Sequence, residues 1–308
     1  MELLLLSCSV LALILFPKAG TQGAMEGIRL CGCTLIPALF PFIFLTKMII
    51  ERIPMPKKNR SAFVMAMGFI GGYPTGVVTA VSLYQKGKLS RSEVQRLIPY
   101  CNHSGPGFFV GVLGMKIFGD PIKGLILYGI HVLTAVMVYL LCYKDRNETV
   151  QILPVKKEGK RPFSVVFQDA LTQGCDTMIR ICGLVILFSV IREFLILILP
   201  TALYPYMGLL ELSSGLLSTG KDDFILWAVF MGWGGLCVHM QTMSILGEAG
   251  LRVKGYFPKK CLHGLLSGLC AVAITRQKWY VVVIIFLICC VFFRFRKIWG
   301  RNNRKDRL

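Results

Sequence analysis

The sequence predicts an all-α fold, a polytopic bundle of transmembrane helices in which some helices are broken or re-entrant. Of the 308 residues, 55% are hydrophobic and only 17% are charged, and the mean hydropathy is +0.63. Apolar runs recur along the chain, each near the roughly 20 residues with which a helix crosses a bilayer. A soluble core containing all these runs would be too large for one chain, so we predict a membrane protein.

The formal net charge of +19 is typical of membrane topology rather than of nucleic-acid binding. Lys and Arg concentrate between and after the apolar runs, at residues 51–61, 86–96, 144–161, 250–260 and 294–308. Loops rich in these residues stay in the cytoplasm by the positive-inside rule. We therefore predict a multi-pass integral membrane protein with a cytoplasmic C terminus, with membrane lipids and no nucleic acid among its partners.

Two helix-breaking segments are the most informative part of the chain. GGYPTG occupies Gly71–Gly76 and NHSGPG occupies Asn102–Gly107. Proline removes a backbone donor and clashes with the preceding turn, and glycine tolerates positive φ. Backbone groups freed at membrane depth need partners in protein or in a water-filled cavity. The two breaks therefore predict a lined cavity of the kind in which transporters bind substrate.

The first break leaves two interpretations open, because Ala62–Tyr84 has basic residues on both flanks. Either this segment is a re-entrant hairpin that turns at Gly71–Gly76, or it spans the membrane and one loop departs from the charge rule. We favour the hairpin. The next helix is predicted to begin at Ser90, with Glu93 at the capping-box position.

The remaining elements follow from the apolar pattern. Leu3–Phe16 lacks the positive n-region of a signal peptide and is predicted to be a retained helix. Thr21–Leu30 is predicted to be a polar lead-in, and the spacing of Phe163–Asp176 indicates an interfacial helix. The predicted membrane helices, some of them broken, are Cys31–Ile50, Leu97–Phe118, Ile122–Tyr143, Met178–Leu199, Phe224–Leu246, Cys261–Thr275 and Trp279–Phe293.

The two halves show a weak internal similarity. Gly71-Gly72, Leu83 and Gly87 align at a constant offset with Gly234-Gly235, Leu246 and Gly250. Secondary transporters often contain internal repeats, many of them inverted. We therefore predict an internal two-fold repeat.

Several of these motifs carry a family resemblance. GGYPTG, LYQKGKLSRSEV, CNHSGPGFFVGVLG and GLILYGIH resemble motifs of the YlbJ family of sporulation integral membrane proteins, and GWGGLCVHMQTMSIL is similar to that family's second half. Two helices, Cys31–Ile50 and Met178–Leu199, resemble those of nucleoside-recognition, or Gate, domains. The resemblance implies a role in endospore formation linked to the cortex. It divides the chain into an N-terminal membrane helix (1–20), a first Gate-like repeat (21–143), a cytoplasmic basic linker (144–162), a second Gate-like repeat (163–293) and a basic cytoplasmic tail (294–308).

Residues at the breaks are the predicted substrate-binding residues, because polar groups at membrane depth are costly and are usually functional or paired. They are Gly72, Tyr73, Pro74, Thr75, Asn102, His103, Ser104 and Pro106 in the first half, and Gly235, His239 and Gln241 in the second. The polar residues of the second break have an alternative role in capping helix ends, and His239 in packing against a carbonyl.

Other conspicuous side chains are predicted to be structural. His131 and His263 are single histidines in apolar runs and are predicted to pack there. Arg192 and Glu193 are predicted to reach the membrane interface by snorkelling, and as neighbours on a helix they need not pair. The twelve cysteines include no CxxC pair and no zinc-type Cys/His spacing, and no catalytic motif of the GxSxG or HExxH type occurs. We predict no metal, no cofactor, no catalytic residue and no enzyme activity.

Three functions are consistent with these features. The first is a secondary transporter or channel for a small solute, nucleoside-like or cortex-related, supported by the paired breaks and the Gate resemblance. The second is a membrane scaffold for sporulation proteins. The third is an intramembrane enzyme acting on a lipid-linked precursor with His103 or His239 as acid–base group, which ranks last for want of an acidic partner. Predicted partners are a small solute and either further copies of the chain or other sporulation membrane proteins.

The charge pattern makes a topology prediction. We expect the Lys144–Arg161 loop and the tail after Arg294 to lie on the same, cytoplasmic side, because both are strongly basic. Reporter fusions at the two sites would measure this directly. A signal typical of the outer side at either site would contradict the argument from charge.

Overall fold

The computed structural model describes residues 2–52, 59–142, 161–212, 215 and 223–305, and all regular structure in these ranges is helical. The predicted all-α fold is therefore confirmed. The predictions for the 144–162 linker fall almost entirely outside the described residues, as do parts of the 51–61 loop and the last three residues of the tail.

Four helical stretches of the described chain are long and apolar enough to cross a bilayer. They are Pro17–Arg52, Pro121–Cys142, Phe163–Ile198 and Phe224–Glu248. Shorter apolar helices accompany them, such as Arg60–Gly71 and Gly107–Phe118. This combination is consistent with the predicted polytopic bundle that contains broken helices.

The chain begins with helix α1 (Glu2–Leu15) and helix α2 (Pro17–Leu30), which continues through a π-helical turn at Cys31–Leu35 into helix α3 (Ile36–Arg52). The π-helical turn ends just before Pro37. Proline cannot donate in the helical ladder and clashes with the turn before it, and π-bulges are one way in which a helix absorbs such a defect.

The prediction of a polar lead-in at Thr21–Leu30 is wrong, because these residues are helical. Gly20, Gly23 and Gly27 lie on one face of α2 and pack against helix α8 (Phe163–Ile198). A Cβ at Gly23 would lie 2.7 Å from the Val190 backbone. Close packing of small residues stabilises helix pairs in membranes, and it gives this weakly apolar segment its helical structure.

The first break forms a hairpin, as predicted. Helix α4 (Arg60–Gly71) and helix α5 (Thr75–Gln85) are separated by three residues, and Arg60 Nη1 donates to the backbone oxygen of Lys88 at 2.9 Å. Since Arg60 begins the first helix and Lys88 follows the second, both ends of the hairpin lie together.

The second break follows helix α6 (Arg91–Cys101). The predicted capping box is confirmed, because the Ser90 hydroxyl accepts from the Glu93 backbone and the Glu93 carboxylate accepts from Ser90 N. Asn102–Gly105 is non-helical, and a π-helix (Gly107–Phe118) leads into helix α7 (Pro121–Cys142).

The second half begins with α8, a continuous helix of 36 residues. The helix predicted at Phe163–Asp176 is present but continues without a break into the membrane segment. Its position at the interface stays a prediction. A 3₁₀ helix (Thr201–Leu209) follows. Helix α9 (Phe224–Trp233) and helix α10 (Gly235–Glu248) are divided at Gly234, whose φ is +97°. Helix α11 (Tyr256–Thr275) and helix α12 (Trp279–Lys305) complete the described chain.

The turns after α5 and α10 have the same hydrogen bonds. Lys88 N donates to Leu83 O and Leu251 N donates to Leu246 O, both at 2.8 Å, and the glycine in each turn has a φ of +67°. These residues occupy the positions that the sequence alignment of the two halves pairs. The two-fold repeat as a whole stays a prediction.

The basic loops meet at one end of the molecule. Lys86 forms an ion pair of 2.5 Å with Glu51, at the end of α3, and Arg91 Nη2 donates to Gly250 O at 2.8 Å. Arg161 lies 3.9 Å from the Glu51 carboxylate. Four of the basic segments, represented by Glu51, Lys86, Arg161 and Gly250, thus have contacts at this end, as a shared side of the membrane requires.

Candidate functional site

A cavity of about 490 Å³ lies between α3, α5, α8 and α10 at the basic end. Its wall is strongly polar for a protein of this composition. The charged residues that line it are Lys47, Lys86, Arg161 and Arg180, with Glu51, Asp176 and Glu248. Charged groups within a membrane bundle usually face a water-filled space or mark a substrate path, so this cavity is the candidate functional site.

Lys47 is the most enclosed cation of the cavity, with 8% of its surface exposed. Its ammonium group donates to Gln173 O at 3.0 Å and to the Thr177 hydroxyl at 3.3 Å. No ion pair joins it to a carboxylate among the described residues, although Asp176 lies on the same wall. The Lys47 charge is therefore available to an anionic group of a solute.

Most of the other charges of the wall are paired. Lys86 pairs with Glu51, Arg161 with Asp169 and Arg180 with Glu248. The Arg180–Glu248 pair is exposed, and exposed pairs of this kind contribute little to stability.

A smaller chamber of about 40 Å³ lies behind the main cavity. Gln241 and Ile181 line both spaces, so they form the partition between them. The chamber wall also includes Glu211, from the segment after the 3₁₀ helix, and Ser104 of the second break, although most of its lining residues are apolar. The chamber thus extends from the main cavity toward the two breaks.

The predicted site residues divide into two groups in the structure. Pro74 and Gln241 line the main cavity, and Tyr73, Ser104 and Gln241 line the inner chamber. The remaining predicted residues line neither space; they are Gly72, Thr75, Asn102, His103, Pro106, Gly235 and His239.

The two breaks touch each other through their glycines. A Cβ on Gly72, whose φ is +70°, would lie 2.7 Å from the backbone nitrogen of Gly105. Only glycine combines this conformation with such close approach. The contact brings the ends of α4 and α6 to the inner chamber.

Asn102 joins the second break to the second half of the chain. Its amide donates to the Thr242 hydroxyl at 2.7 Å and to the Tyr256 hydroxyl at 2.8 Å, and its backbone oxygen accepts from Lys260 at 2.8 Å. Tyr256 also lies 3.3 Å from His239 Nδ1. Asn102 thus contacts α10, the helix that also carries His239 and Gln241, at Thr242.

These contacts make Asn102 a source of stability. We expect Asn102→Leu to lower the melting temperature in detergent, because it leaves two buried hydroxyls without their donor, at a cost of about 1–3 kcal/mol. Asn102→Asp should restore that stability only in part, since a carboxylate can accept from the Tyr256 hydroxyl but cannot donate to the Thr242 hydroxyl. Thermal unfolding of the purified variants measures both effects. A melting temperature for Asn102→Leu equal to that of the wild type would contradict this role.

Three buried histidines meet at the second break, and no local spacing in the sequence indicates this contact. His103, His131 and His263 are each 1% exposed, and their ring centres are 4.7–5.2 Å apart. They come from the break, from α7 and from α11, so only the tertiary fold brings them together.

Arg192 and Glu193 differ from their prediction. Arg192 is buried, donates to the Glu193 carboxylate at 2.6 Å and also pairs with Glu26 of α2. The prediction that Arg192 snorkels to the interface is therefore wrong, because its side chain is buried and pairs with two carboxylates. A long side chain can bend toward its neighbour on the same helix when a second helix packs over both. Here α2 packs over Arg192 and Glu193.

Comparison with known proteins identifies one informative relative. The chain is 25% identical, over an alignment of 315 residues, to the sporulation integral membrane protein YlbJ of Bacillus subtilis (strain 168), and the match covers 82% of this chain and 76% of the relative. No family model matches the chain, and no solved structure does. The match confirms the resemblance to the YlbJ family that the motifs indicate, and with the four apolar helices it supports an integral membrane protein. The likeness to Gate domains stays a prediction.

Proposed function

We propose that this relative of YlbJ is a secondary transporter or channel that moves a small polar solute across the membrane of a spore-forming bacterium. The observation that carries the proposal is the polar cavity and the inner chamber behind it, with Gln241 between them. Transporters commonly place a substrate site where broken helices meet near the middle of the bundle. Both breaks of the first half contribute to the chamber wall here, through Tyr73 and Ser104.

The wall indicates the class of solute. A volume of about 490 Å³ lies within the usual range for sites of small molecules. Four cations and three carboxylates line it, and Lys47 is the enclosed cation without an ion-pair partner among the described residues. A solute that carries an anionic group beside neutral polar groups fits this wall. Nucleoside-like or cortex-related molecules are the classes to test first.

The arrangement of charge also suggests an orientation. The cavity opens at the end where Lys86, Arg91 and Arg161 meet, and basic segments face the cytoplasm. We therefore place the entrance, and the C-terminal tail, on the cytoplasmic side. The inner chamber then lies deeper in the membrane.

A scaffold for sporulation membrane proteins is the second candidate, and one observation favours it. The two breaks pack directly against each other at Gly72 and Gly105, as they would if they served only to shape the bundle. A scaffold needs no cavity with an enclosed cation such as Lys47, which has no ion-pair partner in the described part of the chain, so the wall chemistry favours transport.

Flux measurement tests the proposal. The purified chain in sealed proteoliposomes should carry at least one solute from a panel of nucleosides, nucleotides and cortex precursors. Lys47→Met should reduce that flux roughly tenfold, because a lost charge-assisted contact of about 1.4 kcal/mol has that effect on affinity. Lys123→Met is the matched control, because Lys123 is exposed on α7 and lines neither space.

Two results would count against transport. Wild-type vesicles that carry none of the panel above empty vesicles would favour the scaffold. Equal flux in Lys47→Met and wild type would indicate that the solute does not pass through this cavity. Melting temperatures of both variants show whether a loss of flux reflects a loss of folded protein.

A further inference from the structure

Three buried histidines converge at the second break, outside both spaces just described. His103 lies in the break itself, His131 in the middle of α7 and His263 in the first half of α11. Each is 1% exposed, and one nitrogen from each ring lies within 4.8 Å of the other two. Such convergence is costly for packing alone, because buried polar nitrogens need partners.

The ring spacing matches that of a metal site. The ring centres of His103 lie 5.2 Å from those of His131 and His263, and the latter two are 4.7 Å apart. Three imidazoles that bind one ion tetrahedrally at about 2.0 Å would have ring centres roughly 5.2 Å apart and nitrogens roughly 3.3 Å apart. Rotation of the rings that shortens the distances between these nitrogens by up to about 1.5 Å would complete such a site.

Backbone carbonyls orient two of the rings. His103 Nε2 lies 2.6 Å from Tyr100 O, and His263 Nε2 lies 3.0 Å from His131 O. A carbonyl only accepts, so each Nε2 carries the proton and each Nδ1 presents a lone pair. Neither Nδ1 has a hydrogen-bond partner among the described residues, and neither nitrogen of His131 has one. This is how outer groups fix the tautomer of metal-binding histidines.

The surroundings determine which ions suit the cluster. Phe69 stacks on His103 at 4.6 Å, and Phe109 lies 4.9 Å from His131. No carboxylate joins the cluster in the described chain, so a hard ion such as Mg²⁺ lacks its oxygen ligands. Lys260 acts electrostatically on all three rings and opposes a cation, so only an ion with strong affinity for imidazole suits the site.

We propose that His103, His131 and His263 bind a transition-metal ion of the zinc class, with an open fourth position. Imidazole is a preferred ligand of Zn²⁺ and of similar ions such as Co²⁺ and Ni²⁺. None of the three histidines lines the cavity or the inner chamber, so the ion is a resident of the fold that links the second break to α7 and α11. The prediction of no metal from the sequence rested on local spacing, which these positions do not have.

Metal content of the full chain tests this site independently of transport. The protein is expressed in medium supplemented with Zn²⁺ or Co²⁺, so that the ion can enter during folding, then purified in detergent and desalted. We expect about one ion per chain by elemental analysis, and visible absorption of four-coordinate Co²⁺ in the cobalt sample. His131→Gln and His263→Gln should each lower the content at least fivefold, whereas His239→Gln, a buried histidine outside the cluster, should retain it.

Two outcomes would overturn the site. One is a wild-type protein that contains less than about a tenth of an ion per chain from both media. The other is equal content in the cluster variants and in His239→Gln. If a cluster variant fails to fold, removal of the ion from the wild-type protein tests the site instead. A strong chelator should then lower the melting temperature of the metal-loaded protein and abolish the cobalt absorption. A metal-loaded protein whose melting temperature and spectrum do not change would contradict ligation by the cluster.

Discussion

Gly76→Ala is expected to prevent the chain from accumulating as stable folded protein. Gly76 lies in the first turn of α5 and faces the end of α6, where a Cβ would lie 1.7 Å from the Cys101 carbonyl oxygen and 2.9 Å from the Gly68 Cα. These are backbone atoms, so no side-chain rotation relieves the overlap. Cys101 directly precedes the second break, and separating α5 from α6 would disturb both breaks. Overpacking of a tight core typically costs about 1–3 kcal/mol and occasionally more.

The measurement is thermal unfolding in detergent, together with the fraction of monodisperse protein. Gly183→Ala is the matched control, because Gly183 is also helical and a Cβ there would meet nothing within 4 Å. Alanine is favoured over glycine in a helix by about 1 kcal/mol, so the control should melt at or above the wild-type temperature. If Gly76→Ala melted like the control, the close approach of α5 and α6 would be refuted.

The sequence predicted the elements that have local chemical signals. Proline and glycine marked both breaks, basic flanks indicated that Ala62–Tyr84 turns back, and Ser90 with Glu93 marked the start of α6. Each of these signals acts within a few residues of the chain, so its effect can be read without the fold.

What the sequence did not predict depends on partners far along the chain. Thr21–Leu30 is helical because its glycines meet α8, and Arg192 is buried because Glu26 of α2 meets it. Lys47 becomes the enclosed cation of a cavity only where α3 crosses α8. The predicted site residues of the two breaks lie at or between helix ends, and their binding role stays a prediction. The hydrophobic pattern alone could not show which of them line the cavity and which form hydrogen bonds in the interior.

Ser244→Cys is expected to make transport sensitive to a thiol reagent. Ser244 is exposed on α10 and lines the main cavity, one turn from Gln241 at the partition. A methanethiosulfonate reagent attaches a charged group to the cysteine through a disulfide bond, and this group would occupy the space through which the solute passes. The exposed native cysteines are Cys8, Cys33, Cys175 and Cys261, and none of these four lines the cavity or the inner chamber. Cys237 lines the inner chamber but is buried. Wild-type protein treated with the reagent therefore supplies the baseline. Ser164→Cys, exposed on α8 outside the cavity, is the matched control.

The most direct test of the cavity as a solute path is flux through Ser244→Cys in proteoliposomes before labelling, after labelling and after reduction, with labelling measured by mass. The account predicts a severalfold loss of flux on labelling, full recovery on reduction, and no change in wild type or Ser164→Cys. Complete labelling of Ser244→Cys with undiminished flux would contradict it.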